Sequence, residues 1–232
     1  MRALGYSRAR ATAPAPDRAR RLGEARGGAA MERAVGYDGR VKRVVVGLSG
    51  ATGAIYGVRL LEELRREPDV EVHLVISGPG KRTLVEETER TVRQVEALAH
   101  CVYDDRDVGC ALASGSFRTD GMAVVPCSMK TVSALASGYS ETLIARAGDV
   151  ALKERRPLVV VFRETPLHLG HLRQLAALAE LGAVLLPPMP AFYLRPRTVA
   201  EIVDHTVARV LEHLGLRQRL VPEWTGTGVR GE

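Results

Sequence analysis

The chain has 232 residues, 46% hydrophobic but only 4% aromatic, which is enough apolar material for one sizeable α/β core. Its formal net charge of +6 is uneven: the first forty residues carry nine Arg against four acids, and the remainder carries 24 Lys and Arg against 23 acids. The basic character therefore belongs to a tail, which excludes a strongly basic, nucleic-acid-binding folded domain.

That tail, residues 1–40, is rich in Ala, Arg, Gly and Pro, lacks the apolar segment of a secretory signal, and is expected to be disordered. No apolar run reaches the length of a membrane span, so no membrane association is expected. Cys101, Cys110 and Cys127 are odd in number and show no C-x-x-C spacing. This fits a reducing cytoplasm and gives no residue to a metal.

From Val41 the pattern becomes regular. Val44–Val46 reads as a buried strand, followed by a small-residue turn, Gly47-Leu48-Ser49-Gly50-Ala51-Thr52-Gly53, and a helix over Ala54–Arg66. A strand over Val70–Ile76 ends at Ser77-Gly78-Pro79-Gly80, before helical stretches over Lys81–Glu89 and Val92–Ala99. A strand over Met122–Val125 leads to Pro126-Cys127-Ser128-Met129-Lys130-Thr131, with helices over Met129–Ala136 and Glu141–Arg155. Strands over Leu158–Phe162 and Ala183–Leu186 flank a helix over His168–Leu181, and the last helix spans Thr198–Leu214. Such alternation predicts a Rossmann-like, doubly wound parallel sheet with helices on both faces. The domain is expected over 41–216, with a C-terminal tail over 217–232.

A parallel sheet places every strand-to-helix loop on one edge, where ligands bind. Ser49–Gly53, Ser77, Ser128–Thr131, Arg163-Glu164 and Tyr193 are therefore expected to converge on one small-molecule crevice. The glycines at 47, 50 and 53 do not make the G-x-G-x-x-G of dinucleotide folds, and no P-loop Lys-Ser/Thr follows. Small residues still let a bulky anion approach bare amides at the start of the next helix.

Several segments together carry a resemblance: GLSGATGAIYG from Gly47, Ser114-Gly-Ser-Phe, PCSMKT from Pro126, Arg146-Ala, DVALKERRP from Asp149, RETPLH from Arg163, and Pro190-Ala-Phe-Tyr. In this order, over about 41–214, they resemble the flavin prenyltransferases of the UbiX family. The resemblance implies an enzyme that alkylates reduced FMN at N5 and then C6 with dimethylallyl phosphate. The prenylated FMN would serve a UbiD-type decarboxylase, and the assembly would be a homo-oligomer, commonly a dodecamer.

It also implies roles. Gly50, Ala51 and Thr52 match one flavin loop, Ser77 a second contact, Ser128, Met129, Lys130 and Thr131 a third, and Arg163 a flavin or phosphate contact. Tyr193, Arg209 and Arg146, with Lys153 and Arg163, match the group that holds dimethylallyl phosphate; Lys153 also counts as catalytic. Fixed cations and a phenol suit a departing phosphate dianion. Glu164 is the candidate for proton transfer during ring closure. Glu87 matches an acid that reaches the site from a neighbouring subunit, and no metal is required.

Other residues read as structural. His168 and His171 lack a third ligand and suit a helix start, and Cys127 suits a small buried position. A flavin-dependent cysteine decarboxylase is the main rival, but Tyr103–Ser114 has no His and Lys130 stands where that family carries a neutral amide motif. A non-catalytic flavin-binding subunit is the other, and the cations expected around a phosphate argue against it.

Overall fold

The valines of the first apolar run alternate between the two faces of a central strand, Val44 and Val46 on one side and Val45 on the other. The computed structural model describes residues 40–223; the expected tail before Arg40 and residues 224–232 lie outside the described residues. In chain order the elements are β1 (Lys42–Leu48), α1 (Ala54–Arg66), β2 (Val70–Ile76), α2 (Gly78–Glu87), α3 (Val92–Glu96) and β3 (Cys101–Asp104). There follow β4 (Gly121–Cys127), α4 (Met129–Ser137), α5 (Leu143–Lys153), β5 (Leu158–Phe162), α6 (Leu169–Glu180), β6 (Val184–Leu185) and α7 (Val199–His213). Short 3-10 turns sit at Ala111–Ala113 and Phe192–Leu194.

All six strands are parallel, in the order β3-β2-β1-β4-β5-β6. The doubly wound fold expected from the alternation is present. One core lies between the sheet and α1, α2, α3 and α7, the other between the sheet and α4, α5 and α6. Strand order reverses between β1 and β4, so the crevice for a ligand opens where those two strands end.

Two local departures from the expected elements have clear causes. The helix expected from Lys81 begins at Gly78, because Ser77 caps it by accepting from the Gly80 amide and Pro79 suits a first turn. The strand β3 was not expected. It is a four-residue edge strand with alternate residues half-buried, so it offers no apolar run.

Residues 217–223 are tied back to the domain. Gln218 donates to the Val221 carbonyl and to Glu212, and Leu220 packs against the core.

Candidate active site

The ends of β1 and β4 are tied together by Ser49, which is buried. Its Oγ donates to the Pro126 carbonyl at 3.1 Å and accepts from the Ser128 amide at 2.7 Å. Ser49 thus fixes the spacing of two ligand-binding loops with one hydroxyl. Ser49→Ala would leave the Ser128 amide without this partner, at a cost of about 1–3 kcal/mol. The expected result is a melting temperature lower by several degrees and weaker flavin binding, read by thermal unfolding and fluorescence titration.

Beside this tie lies an open cavity of about 830 Å³, lined by Gly50, Ser77, Ser128, Lys130 and Thr131 as well as Ser49. Five of the predicted contacts therefore share one cavity. Ser128 caps α4 by accepting from the Thr131 amide, and its hydroxyl lies 3.2 Å from that of Thr131. The α4 N-terminus accordingly presents hydroxyls and a favourable dipole to the cavity, with Lys130 adding a charge. Gly50 is required here, since a Cβ on it would come within 2.3 Å of the Pro79 Cβ. The cavity is also lined by Asp105, Tyr139, Arg173 and Gln174, which the sequence reading missed. They lie on or beside α4, α5 and α6, and only packing shows which helix faces border the crevice.

Other predicted contacts are placed differently. Ala51 and Met129 are buried, the Met129 side chain in the core, so at Met129 it is the backbone that faces the α4 start. The first turn of α1 has no cap of its own: Gly53, at φ 104°, offers no side chain. Glu87, the last residue of α2, supplies one instead, accepting from the Gly53 and Ala54 amides at 2.8 and 2.9 Å. Within its own chain, Glu87 therefore makes this contact with the start of α1. Burial pushes the Glu87 carboxyl up, but the Thr52 hydroxyl, the two amides and the Arg163 charge outweigh it and hold it below its ordinary value. The clasp is therefore fully formed at neutral pH and is lost as pH falls through that lowered value.

Arg163 and Glu164 follow the end of β5. The Arg163 amide donates to the Cys127 carbonyl, which keeps this strand end beside β4. Glu164 is half-buried and accepts from the Thr165 amide at 3.0 Å.

The expected phosphate group does not assemble within one chain. Arg146 and Lys153 are on α5, which packs on one sheet face, whereas Arg209 is on α7, which packs on the other. The reason is geometric. α5 starts at the crevice edge, where the Leu143 amide donates to the Asp105 carbonyl, and runs back for eleven residues, about 16 Å at 1.5 Å each. Lys153 therefore lies far from its own crevice, paired with Glu154 at 3.2 Å. Arg146 donates to the Ala113 carbonyl and to Asp149. Arg209 is paired with Glu212, and Tyr193 stands edge-on to His205 at 6.4 Å between ring centroids. Two separate groups result, one of Arg146 and Lys153 and one of Tyr193, His205 and Arg209.

The structural readings hold for His168 and Cys127. His168 caps α6 by accepting from the His171 amide. Cys127 is fully buried, and burial pushes its thiol far up, away from the reactive thiolate.

Comparison with known proteins agrees with this geometry. The Flavoprotein family model matches residues 32–211. Flavin prenyltransferase UbiX of Escherichia coli K12 is 51% identical over 188 residues, covering 80% of this chain and all of that protein. Flavin prenyltransferase UbiX of Thauera aromatica is 53% identical over 188 residues, covering 81% and 96%. Two solved structures superpose with a TM-score of 0.78. One is a dodecameric FMN-dependent UbiX-like decarboxylase from Escherichia coli O157:H7, at 49% identity and covering 79% of this chain and all of that one. The other is AnUbiX (PadA1) in complex with FMN and dimethylallyl pyrophosphate, at 45% identity and covering 81% and 99%. An FMN-dependent cysteine decarboxylase, SpaF, at 15% identity and a TM-score of 0.52, shares the fold alone. The chain belongs to the UbiX family of flavin prenyltransferases, within the flavoproteins.

Proposed function

We propose that the protein transfers a dimethylallyl group from dimethylallyl phosphate to N5 and C6 of reduced FMN, which is the acceptor substrate. The cavity at the β1/β4 switch point carries this reading. Its volume lies within the range of about 300–1,000 Å³ of small-molecule sites, and it joins three hydroxyls, of Ser77, Ser128 and Thr131, to the cations Lys130 and Arg173. That donor set fits a ribityl chain ending in a phosphate. Reduced FMN supplies the nucleophilic ring; the protein's part is to hold it, stabilise the departing phosphate and move protons.

Ser77, Ser128 and Thr131 bind and orient the flavin, with the α4 N-terminus and Lys130 taking its phosphate. Gly50, Ala51 and Thr52 line its other side with backbone, and Arg163 adds charge at the strand end. Arg146 and Lys153 of one copy, with Tyr193 and Arg209 of another, hold the allylic phosphate as it leaves. This accounts for half-sites on opposite sheet faces, and a dodecameric relative offers the assembly in which they meet. Glu164 handles a proton during ring closure.

The product is passed to a UbiD-type decarboxylase. Among the described residues no helix is long and apolar enough to cross a membrane, and a cytoplasmic location fits the three unpaired thiols.

One assay tests this reading: purified protein incubated anaerobically with reduced FMN and dimethylallyl phosphate should yield a four-ring flavin and inorganic phosphate. FMN, and not an adenine-containing nucleotide, should be released from the protein by heat. Absence of the four-ring flavin with both substrates saturating would overturn it.

A further inference from the structure

Away from the crevice, near the amino-terminal end of β2, lies a polar cluster that prenyl transfer does not use. Glu71 and His73 share one face of β2, and strand register sets Cys101 of β3 opposite His73. One carboxylate oxygen, one imidazole nitrogen and the thiol sulfur all lie within 4.8 Å of one another. His73 is 1% exposed, and its Nε2 has no hydrogen-bond partner. Glu71 Oε1 lies 3.3 Å from that nitrogen but makes no hydrogen bond with it.

The other ring nitrogen explains why this matters. Nδ1 lies 2.9 Å from the Tyr103 hydroxyl. A hydroxyl has one proton to give. If Tyr103 accepts from Nδ1–H, Nε2 is left as a bare lone pair facing a carboxylate. If the proton is instead on Nε2, a buried donor goes unmet. In the first arrangement a cation between the lone pair and the carboxylate closes the gap; in the second the N–H faces the Glu71 carboxylate at 3.3 Å.

We propose that Glu71, His73 and Cys101 form a zinc site that clamps the edge strand β3 to β2. The set offers one oxygen, one nitrogen and one sulfur, which suits zinc, and leaves a fourth position for water. Bonds of about 2.0–2.3 Å put tetrahedral ligands roughly 3.3–3.8 Å apart. Glu71 and Cys101 are partly exposed, and the proposed site requires their side chains to turn inward to that spacing. Arg43 holds the other carboxylate oxygen, Oε2, at 3.0 Å and leaves Oε1 for the metal. Tyr103 orients the imidazole from behind, as the outer partners of metal-bound histidines do. Binding releases the Cys101 thiol proton to solvent.

The test uses the full chain, stripped with a chelator, gel-filtered, and titrated first with cobalt(II) and then with zinc. One equivalent of cobalt per chain should give a thiolate-to-cobalt charge-transfer absorption, and one equivalent of zinc should abolish it and raise the melting temperature. Cys101→Ala should lose the absorption and bind zinc at least about 100-fold more weakly. Tyr103→Phe should weaken binding by about 10–100-fold while keeping the absorption, and Cys110→Ser should change neither. Failure of the wild-type chain to take up a stoichiometric metal at micromolar concentration would overturn the site. So would a Cys101→Ala chain that binds zinc as tightly as wild type.

Discussion

Glu164→Gln should slow formation of the four-ring flavin by about 10²–10⁴, the usual loss when a general acid or base is removed, while leaving flavin binding nearly unchanged. The separation is possible because Glu164 does not line the cavity that holds the hydroxyls proposed to bind the flavin. Glu164 accepts from the Thr165 amide, and an amide oxygen of Gln can accept from that amide equally well. Arg163 keeps its own backbone tie to Cys127 in the variant. Phosphate release and ring closure should therefore come apart. Rapid quench should show phosphate released at close to the wild-type rate in the first turnover, with the four-ring product lagging behind on chromatography. If both appear at unmodified rates, Glu164 only shapes the end of β5.

Gly57→Ala should lower stability by about 3 kcal/mol, the upper part of the range for overpacking a core, and the melting temperature by roughly 6–12 °C for a domain of this size. Gly57 lies on the face of α1 that presses on the sheet. A Cβ there would come within 2.4 Å of the Val125 carbonyl oxygen and 3.0 Å of the Leu48 side chain. The carbonyl is backbone in a central strand and cannot turn aside, so the helix must lift. Lifting α1 also shifts the Gly50–Gly53 turn, so flavin affinity should fall along with stability. Gly78→Ala is the control. That position has nothing within 4 Å of an added Cβ, and its melting temperature should stay within a degree or two. Equal melting curves for the two variants would show that α1 packs less closely than described.

Much of this was readable along the chain because parallel sheets obey a simple rule about edges. Ser77, Ser128 and Thr131 follow strands whose apolar runs are unmistakable, so their convergence needed only the strand assignments. β3 gave no such run. Its residues are half-buried on one side and exposed on the other, and its partner is found only in three dimensions.

The relative placement of Arg146, Lys153 and Arg209 was hidden for a different reason. A motif says that a cation is present, but the depth of a residue along a helix and the sheet face it covers come from packing. The same limit hid the neighbourhood of Cys101. Counting spacings between cysteines tests for ligands close in sequence, whereas Glu71 and His73 are brought to Cys101 by strand register.

The clasp made by Glu87 bears on which nucleotides this architecture can admit. In folds with this strand order, a dinucleotide rests its pyrophosphate on the amides that open the first helix. Here those amides, of Gly53 and Ala54, are already occupied by a carboxylate from the protein itself. An incoming diphosphate would have to displace that internal anion and would meet its negative charge while doing so. The α4 start carries no such occupant and has Lys130 beside it. The berth that dinucleotides use is closed from within, and the α4 start beside Lys130 remains open to the one phosphate of a mononucleotide.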